Sequence, residues 1–163
     1  MEKVDWSRFV VRTALKVSNE EIKTAWTTPH GLEKWFLRMA EFTTPKGDHR
    51  DSNEKVQVHD TYKWQWHGYP DSVEEQGEVL EPQENEIIRF RFGKAGIVNV
   101  QVKEMEGEKI VELTQEEIPQ DEESKLNFHA GCKTGWTFYL ANLKSVLENG
   151  YDLRNKNVNL KLE

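Results

Sequence analysis

Residues Asp121 to Asn149 contain no proline, and within them Cys132, Trp136, Tyr139, Leu140, Leu143, Val146 and Leu147 recur at three- and four-residue spacing. That period puts one apolar stripe along a single helix. At about 1.5 Å per residue the helix would be roughly 40 Å long, enough to cross a small domain. The chain before it has a different period. Alternating segments at Val56–His67, Val73–Leu80, Ile87–Phe92, Ile97–Met105 and Lys109–Ile118 are separated by turn residues such as Gly68-Tyr69-Pro70-Asp71, Gly93-Lys94-Ala95-Gly96 and Glu106-Gly107. Connections this short make antiparallel hairpins, not parallel crossovers. A sheet of that size must bury one face, and only the long helix is large enough to cover it. The expected architecture is α+β: a curved antiparallel sheet of six or seven strands around a long C-terminal helix.

The N-terminal part fits the same plan. Ser7 to Val17 alternates as a half-buried strand, and Ser18 with Glu21 forms a capping box for a helix that ends at Thr27-Thr28-Pro29. Pro29 opens a second short helix carrying Leu32, Trp35 and Phe36 on one side, and Leu37–Thr43 reads as another strand. Thr44 to Lys55 has no large apolar residue and reads as a mobile loop. Gly150 sits where a glycine would close the long helix. The tail from Tyr151 either adds an edge strand or lies along the surface. Its last two residues, Leu162-Glu163, are as consistent with a tag remnant as with native sequence. We read residues 1–163 as one domain, with its core at about 7–150 and a tail at 151–163.

With 163 residues the chain needs no disulfide or metal to hold a core. Only 36% of its residues are hydrophobic, but six Trp, seven Phe and four Tyr imply a small core rich in rings. A net charge of −7 with no basic stripe disfavours nucleic acid and anionic membrane surfaces as partners. Cys132 is the single cysteine, which suits a reducing compartment, and no apolar run is long enough for export or a membrane span. The expected location is cytoplasmic.

Short motifs recur in a telling order: Glu33-Lys34-Trp35-Phe36, Tyr62-Lys63-Trp64, Gly77-Glu78-Val79-Leu80-Glu81-Pro82, Gly135-Trp136, Leu143-Lys144 and Leu147-Glu148-Asn149-Gly150. Together they resemble the family named for the activator of Hsp90 ATPase, a branch of the START-like superfamily, over about residues 7–150. The resemblance implies a helix-grip fold, in which a bent sheet closes imperfectly on a straight helix and leaves a cavity for hydrophobic ligands. It also implies a chaperone as an alternative partner. In the activator that names the family, however, the ATPase-stimulating contacts belong largely to a separate N-terminal domain, and this chain resembles only the C-terminal one. Relatives with cyclase- or hydrolase-like activity add a third reading.

The candidate cavity residues are Trp35, Phe36, Tyr62, Trp64, Trp66, Phe90, His129, Trp136 and Tyr139, with Phe92 among the neighbouring rings. The same rings would serve equally as core filling or as a protein-contact surface. Trp136 should face the strands that carry Trp64 and Phe90, and His129 should reach the cavity mouth as a polar handle. Gly131 and Gly135 mark places of close backbone or ligand approach, since glycine inside a helix costs about 1 kcal/mol. No catalytic set stands out: there is no nucleophile elbow and no phosphate loop. An enzyme would need two or more polar groups in the cavity, and only His129 and Tyr139 offer themselves. The histidines have no partners at metal-ligand spacing, and no cofactor motif is present.

Overall fold

The computed structural model describes residues 2–162. The chain runs β1 (Phe9–Leu15), α1 (Asn19–Thr27), α2 (Pro29–Glu33), β2 (Met39–Thr43), β3 (Thr61–Gln65), β4 (Glu74–Glu78), β5 (Glu86–Arg91), β6 (Ile97–Met105) and β7 (Glu108–Glu116). The C-terminal rod follows as α3 (Glu122–Ser124), a π-helical segment (Lys125–Ala130) and α4 (Gly131–Asn149). The capping box forms as the sequence indicates, with Ser18 accepting from the Glu21 amide and Glu21 reaching back to the Ser18 amide. Thr28 closes α1 and caps α2, with Pro29 as the first residue of α2. Gly150 ends α4 in the left-handed region.

All strand pairs are antiparallel, but they make two sheets where the sequence suggested one. One has the order β1-β7-β6-β5 and the other β2-β3-β4. Between them runs a single bridge, Val79 to Phe90, with the Leu80 amide donating to the Arg89 carbonyl at 2.8 Å. The separation has a local cause at Gly77. There β4 comes so close to β5 that a Cβ would collide with the Arg91 carbonyl oxygen and the Tyr62 hydroxyl. That carbonyl accepts a hydrogen bond from the Tyr62 hydroxyl, so a side chain takes the place of a ladder partner.

The rod also departs from a uniform α-helix. In the π segment the backbone bonds skip one residue further, as when the Gly131 amide donates to the Leu126 carbonyl. The extra residue turns His129 inward, where it is buried between the rings of Trp6 and Phe9 with Nε2 3.0 Å from the Arg8 carbonyl oxygen. Further along, α4 packs against β1. Lys144 donates to the Ala14 carbonyl, and Glu148 accepts from the Lys16 amide at 2.8 Å. Leu140 and Leu143 are fully buried there.

The polar loop after β2 is tied down, contrary to the mobility expected of it. Arg50 holds the fully buried Asp60 through two hydrogen bonds of 2.8 and 3.0 Å and also pairs with Glu54. Backbone bonds from Arg50 to Phe42 and from His30 to Ser52 fasten the middle of the loop, and one from Val56 to Thr27 holds its far end. The tail forms no strand among its described residues and lies along the surface. It is anchored by Arg154, whose guanidinium donates to the carbonyls of Glu33, Lys34 and Leu37 and pairs with Asp152. Leu162 is exposed, and Glu163 lies outside the described residues.

Candidate functional site

Beside the first half of α4 lies an open cleft of about 470 Å³. Phe36 reaches it from the turn after α2, Trp66 and Tyr69 from the loop after β3, and Phe92 from the end of β5. Trp136 and Tyr139 project from α4, and Gly131, Cys132 and Gly135 form the floor. The rings brace one another: Phe36 lies 4.8 Å from Trp136 and 5.1 Å from Tyr139, and Phe92 lies 5.6 Å from Trp136. Trp136 is almost fully buried, and its indole N–H donates to Gln115 Oε1 at 2.9 Å. It meets Phe36, Phe92 and Trp26, not the Trp64 and Phe90 rings anticipated from the pattern.

The structure therefore gathers Phe36, Trp66, Trp136 and Tyr139 of the sequence-derived set on one cleft. Trp35, Tyr62, Trp64 and Phe90 lie behind it, each less than one-tenth exposed and packed in the core. Trp35 donates its N–H to the Ala25 carbonyl, and Tyr62 stacks on Trp64 at 3.8 Å. His129 is placed apart, among Trp6, Phe9 and Arg8, so the two polar candidates His129 and Tyr139 sit in different surroundings. Tyr69, Val73 and Asn127 line the cleft and were not indicated by the sequence. Tyr69 in particular reads there as turn punctuation between Gly68 and Pro70.

The floor is where glycine matters. A Cβ added at Gly135 would meet no heavy atom within 4 Å, and one at Gly131 would meet only the Leu126 carbonyl oxygen, at 3.3 Å. Close packing of helix on sheet does not account for either residue. Both leave open space above the backbone.

The cleft chemistry is apolar with a few uncharged polar tips. No carboxylate, ammonium or guanidinium lines it. Burial, and next the neighbouring Tyr69 hydroxyl, pushes the Tyr139 phenol up to about 12, so it stays a neutral donor at physiological pH. Burial pushes the Cys132 thiol up as well, which keeps it protonated and poorly nucleophilic. Just beyond the floor, Glu75 is half-buried, and its carboxyl is pushed up by desolvation. Among the described residues no cluster of His, Cys, Asp and Glu is placed to hold a metal ion, and no helix is long and apolar enough to cross a membrane.

This architecture recurs in solved structures. Protein SSP2350 from Staphylococcus saprophyticus is 20% identical, with a TM-score of 0.65 over 91% of this chain and 96% of that one. The Aha1 dimer from Colwellia psychrerythraea is 21% identical, with a TM-score of 0.60 over 88% of this chain and 97% of the other. DynU16, a protein of the dynemicin biosynthetic locus, is 15% identical with a TM-score of 0.65, and the match covers 92% of this chain but 50% of that one. At these identities the likeness establishes the fold and nothing finer. No curated protein matches the sequence significantly. The model of the family described as activator of Hsp90 ATPase homolog 1-like protein matches residues 16–148, most of the chain. The chain therefore belongs to the activator of Hsp90 ATPase homolog 1-like family.

Proposed function

We propose that this protein is a cytoplasmic, single-domain binding protein that takes up a small hydrophobic or aromatic molecule in the cleft between α4 and the loops after β3 and β5. One observation carries the reading. Six aromatic side chains surround about 470 Å³ of open space, and the helix floor beneath it keeps two glycines where side chains would fit. Rings left facing an open cleft are not buried by the fold, and a concave apolar surface of this kind marks a binding site. The volume is within the usual range for small-molecule sites, and the apolar walls with a few uncharged polar groups are typical of them. A binding role needs no catalytic group, and the cleft offers no acid–base pair.

Native mass spectrometry of freshly purified protein, followed by titration with an aromatic fluorophore, tests the reading. A saturable one-to-one site that quenches tryptophan emission is expected, because Trp66 and Trp136 line the cleft. The family name suggests a chaperone as the alternative partner. No saturable site, together with a clear change in the ATPase rate of an Hsp90-type chaperone, would replace ligand binding with that role.

A further inference from the structure

The cleft does not end at Tyr139. A second groove of about 670 Å³ runs on beneath the C-terminal tail, and Tyr69, Gly135 and Tyr139 line both spaces. The two differ in character. The cleft is walled by rings, whereas Leu153, Val158 and Leu160 of the tail give the groove an aliphatic wall opposite Phe138. These side chains are between 42% and 53% exposed, a large apolar surface for a tail to leave in water.

The charges are just as uneven. Among the described residues no carboxylate lines the groove, while Arg154 and Lys161 do, with His67 beside them. Arg154 is spent on Asp152 and three carbonyls, and Lys156 also turns to Asp152. Lys161 makes no ion pair among the described residues. Burial first, then Arg154 and Lys156, lower the pKa of His67 although Asp152 opposes them, so His67 faces the groove as a neutral hydrogen-bonding group. In a chain of net charge −7, Lys161 gives the groove a cation with no carboxylate among its described lining residues.

We propose that the cleft and the groove beneath the tail form one elongated site for an amphipathic acid, with a flat aromatic group on the glycine floor, an aliphatic chain under the tail and an anionic group at Lys161. The proposal rests on the cleft being a ligand site and adds its extent and the class of its ligand. The tail is held in place for this role. Asn142, fully buried in α4, donates to the Trp35 carbonyl and to Asp152 and accepts from the Leu153 amide. The same residues therefore fix both the Phe36 wall of the cleft and the start of the tail wall.

Three fluorescent probes test this on the full chain: pyrenebutanoic acid, pyrene-tipped dodecanoic acid and the methyl ester of the latter. The long acid should bind at least about tenfold more tightly than the short one, the gain from burying roughly two methylenes. It should bind about threefold more tightly than its ester, the scale of one exposed ion pair. Val158→Asp should bring the long-to-short ratio close to one, and Lys161→Glu should reverse the preference for acid over ester, with thermal melts confirming that both variants fold. Equal binding of long and short acids, or a length advantage that survives Val158→Asp, would overturn the second compartment and leave the cleft reading intact. Absence of binding by all three probes would overturn both.

Discussion

Replacing Gly135 by alanine puts the open floor to a quantitative test. Gly135 lies within α4, and a methyl group built on it touches nothing within 4 Å. The helix should gain about 1 kcal/mol from exchanging glycine for alanine, with no clash to offset it. For a protein of this size that is worth roughly 2–4 °C in melting temperature. With a urea slope of about 1–3 kcal/mol/M, the midpoint should rise by roughly 0.3–1 M while the slope stays constant. Gly131→Ala is the natural comparison. Its methyl would sit 3.3 Å from the Leu126 carbonyl oxygen, so the gain there should be smaller. The stabilising methyl at Gly135 takes up ligand space, so aromatic-probe affinity should fall while stability rises, and Gly135→Leu should abolish binding. A Gly135→Ala variant that is less stable than the parent would show the floor to be packed. Unchanged probe affinity in both Gly135 variants would show that the open space is not the binding site.

Other residues give independent tests. Asp60→Ala removes a fully buried carboxylate and its charged hydrogen bonds from Arg50, which keeps Glu54 and some access to water, so chemical denaturation should show a loss of about 1.5–3 kcal/mol. Trp136→Phe keeps a ring on the cleft wall but leaves Gln115 Oε1 buried without a donor, which should cost about 1–3 kcal/mol in the same assay. Asp152 is pulled far below the ordinary carboxylate range because hydrogen bonds from Arg154 and Asn142 outweigh its burial. The stability it contributes is complete above its unfolded value of about 3.9 and is lost as pH falls towards the folded one. The gap between parent and Asp152→Asn urea midpoints should therefore be widest at neutral pH and narrow below about pH 4.

Local pattern carried much of this fold. β6 begins and ends at the residues its alternation marks, Ile97 and Met105, and the Ser18–Glu21 cap and the Thr28–Pro29 break are local chemistry that a sequence displays directly. The parting of the sheets was hidden because it depends on Gly77 meeting Arg91, a contact between separate strands with no local signature. The π segment escaped for a related reason. One extra residue before Cys132 leaves the following stripe at its regular spacing and shifts only what precedes it, including His129. Arg50 looked like loop polarity and Asp60 like a polar position of the segment after it, since nothing in a polar stretch reveals which charge will be buried. For the cleft, alternation showed that Tyr62, Trp64 and Trp66 share a face. Depth along that face was not encoded, and depth is what separates the buried Trp64 from the cleft-lining Trp66.

The parting of the two sheets has a consequence for life at high protein concentration. β4 and β5 are both sheet-terminal strands, bridged just beyond β4 at Val79–Phe90 and close to each other at Gly77. An unpaired strand edge invites a strand from another molecule to add to it. β4 is poorly suited to receive one. Its five residues are Glu-Glu-Gln-Gly-Glu, so an identical strand arriving alongside would set carboxylate against carboxylate. Gly77 in its middle offers such a visitor no side chain to pack against. The acidic strand that reads as solvated surface therefore acts as a guard wherever the seam between the sheets opens.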